Sequence, residues 1–161
     1  MQTLLGQRVP GGDRGLALPE LRPGAGIALS PIPPLGLPAR VTMDRVRAHL
    51  PHVTGTQDHD FVGGNGAESR RIPYDAIAAS GTAMGQVLAV LAGAAHGSFA
   101  DEPGTGGRWR ARLIAPVPRR LRWPSCAAYG WAMPEQRHLI AQDAPGLLAE
   151  GDVIERKGLA P

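Results

Sequence analysis

Cysteine is almost missing from this chain. Cys126 stands alone, so no internal disulfide can staple the fold. Lysine and asparagine are equally scarce, with Lys157 and Asn65 the sole examples, and no Asn-X-Ser/Thr acceptor exists. Aromatic residues make up 4% of the chain, and Leu, Ile, Val and Phe together number 35 of 161. That lies near the border below which a chain buries too little apolar surface to fold. No large excess of one charge is present, the net value being +3. The opening residues MQTLLGQRVPGGDRG lack a basic stretch followed by an apolar run, so they do not read as a secretory signal. The expected location is inside a cell or within an assembled particle.

Glycine and proline, by contrast, supply 38 residues without a Gly-X-Y period, which excludes collagen. Arginine is abundant, at 16 residues. Its planar fork of donors suits carboxylate and phosphate better than an ammonium does, which favours a polyanionic partner. The plainer explanation is a high-GC coding sequence, and the 24 alanines point the same way.

Residues 1–40 hold seven Gly and seven Pro, the densest such stretch. Pro31, Pro33 and Pro34 donate no backbone hydrogen bond and push their predecessors toward extended conformations. Leu16, Leu18, Leu21, Ile27, Leu29, Ile32, Leu35 and Leu37 still punctuate this segment, more apolar residues than a solvated linker needs. It reads as an extended arm that lies on a surface, its own or a neighbour's. Residues 41–161 read as a single small α+β domain. A short helix is expected over Met43–Leu50, capped by Thr42 and ended by Pro51.

A long helix is expected after Pro73, over residues 73–96, where Ala76 through Ala100 is a run free of Asp, Glu, Lys and Arg. Within it Ile77, Met84, Leu88 and Leu91 form one apolar stripe. Gly81, Gly85, Ala89 and Gly93 recur at four-residue spacing, which lets another backbone approach. The uncharged length suffices for a membrane span, but Ser80, Thr82 and Gln86 and the Ala/Gly content favour a buried soluble helix. After Gly104–Gly107 the period changes. Trp109, Ala111 and Leu113 alternate with Arg108, Arg110 and Arg112, and Leu121 and Trp123 alternate with Arg120 and Arg122. This predicts a small antiparallel sheet in the C-terminal half. Glu150-Gly151-Asp152 is a turn signal inside a possible closing hairpin.

Four constellations have chemical potential. Arg108, Arg110, Arg112, Arg119, Arg120 and Arg122 give the window 108–123 a charge of +6, against −3 for the rest of the chain. A ribbon of these residues is an anion-binding surface for nucleic acid or another acidic surface. The tryptophans fall on its opposite face, which disfavours base stacking, and the alternative is a solvated sheet edge guarded by charge. His49, His52, His59 and Asp58 offer nitrogen and carboxylate ligands for a divalent metal such as zinc, although their spacing matches no well-defined metal motif. They read more simply as surface groups near a helix end, and no cofactor is otherwise expected. Gly63-Gly64-Asn65-Gly66, followed by Arg70 and Arg71, lacks either phosphate-loop pattern and reads as a turn. Cys126 with His138 and Asp143 has no known nucleophile signature.

The functional polar groups therefore do not converge on one motif, while apolar residues stud an arm that cannot fold alone. The expected function is a non-enzymatic structural or interaction protein, a component of an assembly such as a virion, docking other protein subunits through its arm and basic ribbon. The alternatives are a nucleic-acid-binding protein using 108–123 and a metal-dependent hydrolase using the histidines.

Overall fold

The computed structural model of the chain describes residues 6–13, 15–17, 26–60, 63–77, 85–99 and 150–158. The elements run β1 (Ala28–Leu29), α1 (Ala39–Thr42), β2 (His52–Gln57), a 3₁₀ turn (Ala67–Arg71), α2 (Ile72–Ala76), β3 (Gln86–Ala95), a second 3₁₀ turn (His96–Phe99) and β4 (Val153–Lys157). The strands form one sheet in the order β1-β2-β3-β4. β1, β2 and β3 are mutually parallel, and β4 joins β3 antiparallel.

This corrects the expected fold class. Two short helices accompany a mixed sheet, and three of its four strands come from residues 28–95. The expected C-terminal antiparallel ribbon, Arg108 through Arg122, lies outside the described residues. The long helix is also corrected, because Gln86–Ala95 is a strand. The uncharged run that suggested a helix is what a central strand of a parallel sheet looks like, apolar on both faces rather than alternating. Val87 and Val90 favour the pleated backbone, and Gly93, at φ 75°, is unsuited to a right-handed helix. Among the described residues no helix is long and apolar enough to cross a membrane.

The short helix is displaced too. Helical turns start after Pro38, whose carbonyl accepts from Val41 and Thr42, and stop at Thr42. Beyond it Val46, Ala48 and Leu50 are buried outside any helix. These side chains join Ala28, Met43 and Ile77 in the hydrophobic core, with Ala76 packed against it. The core is thus built from β1, the chain between α1 and β2, and the end of α2. In α2, Pro73 occupies the first turn, where its missing N–H costs nothing.

Cross-strand neighbours Ala28, His52, Leu88 and Glu155 form one row across all four strands. The first three are buried, and Glu155 receives two hydrogen bonds from Arg71 at 3.0 and 2.9 Å. The β2–β3 register shifts between Gly55 and Gln57. At this bulge Gly93 N–H donates to Thr56 Oγ1 at 2.8 Å, and Ala92 N–H donates to Asp152 Oδ1 at 2.9 Å. A side chain on Gly55 would run into the Ala94 backbone carbonyl. Gly55→Ala is therefore expected to cost about 1–3 kcal/mol through forced backbone shifts, measured by chemical denaturation. Gly64→Ala, where no neighbour is in reach, is the contrasting variant; its cost comes from φ alone.

Candidate functional site

Three parallel strands end side by side, and the residue just beyond each carries a polar side chain toward a common point. Ser30 follows β1, Asp58 follows β2 and His96 follows β3. Ser30 Oγ lies 2.9 Å from Asp58 Oδ1 and 2.7 Å from His96 Nδ1, and His96 Nδ1 lies 3.2 Å from Asp58 Oδ1. Thr54, on β2, donates from Oγ1 to Asp58 Oδ2 at 2.8 Å. Asp58 is wholly buried, whereas the His96 side chain is 51% exposed. Ser30 is the single non-glycine residue with positive φ, at 49°, among the described residues. That conformation is costly for serine and is held here by its neighbours.

One proton arrangement satisfies all these contacts. Asp58 accepts from the Ser30 and Thr54 hydroxyls, and the His96 Nδ1–H is shared between Ser30 Oγ and Asp58 Oδ1. In neutral His96 the lone pair then resides on Nε2. The Ser30 proton is committed to Asp58, and serine and aspartate meet the same ring nitrogen. The arrangement thus lacks the relay order of a serine nucleophile, in which serine and aspartate flank opposite nitrogens.

Arg70 locks the frame of this cluster. It sits on the first 3₁₀ turn and is 2% exposed. Its Nε donates to the Asp58 carbonyl at 3.1 Å, its Nη1 to the Ser30 and Pro31 carbonyls at 3.3 Å each, and its Nη2 to the His59 carbonyl at 2.8 Å. Asp58 Oδ1, 3.4 Å from Nε, supplies the counter-charge. A groove of about 310 Å³ lies nearby between β2 and the same turn, but shares only Thr54 with the cluster.

The sequence-derived metal candidates do not share this site as a set. Asp58 is its centre. His59, next in sequence, is exposed. His49 is buried and its Nδ1 faces the Gly85 carbonyl at 3.1 Å. His52 projects into the sheet interior, edge-on to Tyr74 with ring centroids 5.8 Å apart. Among the described residues no group of three His, Cys, Asp or Glu side chains could hold a metal ion. Arg108, Arg110, Arg112, Arg119, Arg120 and Arg122 lie outside the described residues, as do Cys126 and His138. Sequence reasoning missed Ser30, Thr54 and His96, and read Arg70 as a flank of a glycine turn. Recognising three parallel strands would have singled out the residues after each one, because ligands of open α/β sheets gather at the carboxyl ends of the strands.

His52 is fully buried, and among the described residues neither ring nitrogen meets a partner in hydrogen-bond geometry. Burial, helped by the positive charge of Lys157, pushes its pKa from 6.5 down to about 4, outweighing the opposing pull of Gln86 and Asp75. No protein family model matches the chain, and no curated protein or solved structure matches it at a significant level.

Two expectations follow from these buried groups. Arg70→Met leaves four carbonyls and the Asp58 carboxylate short of donors, so it should destabilise the fold by about 3–5 kcal/mol in urea unfolding. For His52, the unfolded chain binds a proton below pH 6.5 that the native state refuses until about pH 4. Its contribution is fully present above the unfolded value and is lost as pH falls through that window, amounting to roughly 3 kcal/mol. Replacing it, His52→Leu, should flatten the stability profile across that window by a comparable amount. An identical slope in the variant would assign the acid sensitivity to other groups.

Proposed function

We propose that the chain is a structural or interaction protein of a larger assembly, docking other subunits through its front segment. The observation that carries this reading is the distribution of exposed apolar bulk. Leu16, Ile27, Leu29, Ile32 and Leu35 account for five of the seven large hydrophobic side chains exposed among the described residues. All five come from the glycine- and proline-rich front of the chain. Among the described strands its β1 is the outermost on one side of the sheet. Gly26, Ala28 and Ser30 donate their N–H groups to His49, Pro51 and Val53 of the neighbouring stretch. In a parallel pair the intervening residues turn both backbone groups the other way, so Ile27 and Leu29 face the outer edge. A partner strand of apolar character would use those groups and cover the side chains together.

Magnitudes support a composite interface. Each half-exposed Ile or Leu has on the order of 1 kcal/mol still to gain from burial. Four or five of them do not offset the ~4–15 kcal/mol cost of association by themselves. Backbone pairing along β1 supplies directionality, and the +6 window at 108–123 would add attraction for a partner with an acidic flank.

Limited proteolysis and sedimentation of the purified chain test the reading. Cleavage between residues 16 and 35 in dilute solution, with an apparent mass that rises with concentration, is expected. The double substitution Leu29→Asp with Ile32→Asp should abolish that rise. A monomer whose front resists protease at every concentration would remove the need for a partner.

A further inference from the structure

Away from the strand ends, α1 and the chain after it carry a cluster of arginines that the fold does not consume. We propose that the groove beside α1, rimmed by these arginines, docks an acidic peptide segment bearing an apolar side chain among its carboxylates. This names a partner chemistry for the docking reading above, and rests on it only in that the occupant is a protein.

Unbalanced charge carries the assignment. Arg40, Arg45 and Arg47 are all exposed. The carboxylate among them, Asp44, is already engaged. Arg8 donates to its Oδ1 from Nε at 2.8 Å and to its Oδ2 from Nη2 at 3.2 Å. That hydrogen bonding, with the nearby charges of Arg45 and Arg47, holds the Asp44 carboxyl below its usual range. The Nη1 of Arg47 donates to the Asp44 and Val46 carbonyls at 2.7 and 3.2 Å, which fixes its position without cancelling its charge. Among the described residues no carboxylate forms an ion pair with Arg40, Arg45 or Arg47. Positive charge left over in this way draws in an acidic partner, and the planar fork of arginine matches a carboxylate.

The groove decides which acidic partner fits. It has a volume of about 580 Å³ and is lined by Asp13, Leu37, Pro38, Arg40, Val41 and Asp44. Leu37, Pro38 and Val41 give it an apolar wall that is not fully buried. Leu35, among the exposed apolar residues assigned to docking, stands two residues before that wall. A nucleic-acid backbone brings a phosphate at every step and no aliphatic group, and Asp13 and Asp44 in the lining repel it. A peptide can set its carboxylates against the arginines and one aliphatic side chain against Leu37 and Val41, leaving Asp13 and Asp44 unopposed.

The test titrates the full chain into a short fluorescent peptide of glutamates around a central leucine, with binding read by anisotropy. Saturable binding that weakens as salt rises to physiological strength is expected. Arg40→Gln and Arg45→Gln should each weaken it about threefold or more. Arg156→Gln, which removes an exposed charge from β4, should stay within about twofold of the parent. The arginines of 108–123 are unchanged in all three variants, so this pattern separates the groove from that window. Changes in the peptide need no altered protein. Glutamine in place of every glutamate should abolish binding, and serine in place of the leucine should weaken it about fivefold or more. The proposal is overturned by an acidic peptide that does not saturate, or by losses in Arg40→Gln and Arg45→Gln no larger than that in Arg156→Gln. Equal affinity for the serine peptide overturns it as well. A mixed-sequence single-stranded oligonucleotide that binds more tightly than the peptide, with the same dependence on Arg40, assigns the surface to nucleic acid instead. Self-association is read separately by sedimentation. A concentration-dependent mass without peptide binding leaves the docking reading standing and removes the groove from it.

Discussion

A buried guanidinium holds the ends of two strands in register. Arg70 reaches from the first 3₁₀ turn to the carbonyls that follow β1 and β2, and the Asp58 carboxylate balances its charge. Taking such an ion out of water is expensive, and the pair adds little net stability over a well-packed apolar substitute. What it contributes is definition. The chain just past each strand would otherwise be a loop with unsatisfied carbonyls inside the protein, and the fork satisfies several with one rigid group. Ser30 keeps its unfavourable backbone angle, and Asp58 its full burial, because both are attached to this clamp.

The clamp also separates two kinds of surface on a short stretch of chain. On one side of Ser30, Ile27 and Leu29 present apolar bulk to solvent; beyond it, Ile32 and Leu35 do the same. Ser30 itself turns inward to the polar cluster. Outward grease and inward chemistry are therefore contributed by the same front segment. This alternation follows from the extended backbone of β1, where neighbours point to opposite sides. The Arg8–Asp44 ion pair, with its Nε–Oδ1 distance of 2.8 Å, fastens the earlier part of that segment to the chain after α1. Arg8 holds the Asp44 carboxyl below the usual range, but the pair is surface-lying and its energetic weight is small.

The sequence conveyed composition and exposure better than topology. The apolar residues of the front segment were legible as too numerous for a linker, and Glu150-Gly151 does turn the chain just before β4. The uncharged stretch around Leu88 was legible as buried, but not as strand. Helical and doubly buried β patterns coincide in a short Ala-, Gly- and Val-rich run, and only the partners on either side resolve them. The polar cluster was illegible for a different reason. Its members are 28 and 38 residues apart, no local spacing links them, and they meet only because parallel strands all end at the same edge. Asp58 was noticed for its carboxylate among histidines, whereas its partners are Ser30 and His96 just past two other strands, Thr54 on its own strand and Arg70 on the 3₁₀ turn. His52 shows the converse error: a titratable side chain read as a surface ligand occupies a dry interior position instead.

The strand order has a kinetic consequence. Every ladder in the sheet joins residues far apart along the chain: Ala28 with His52, His52 with Leu88, and Val90 with Val153. None of the described strands is joined to its neighbour by a hairpin, so each of these pairings must first close a long loop at an entropic cost. Collapse of this polypeptide should be governed by high contact order, with slow sheet assembly and a prolonged interval in which unpaired edges are open to neighbours.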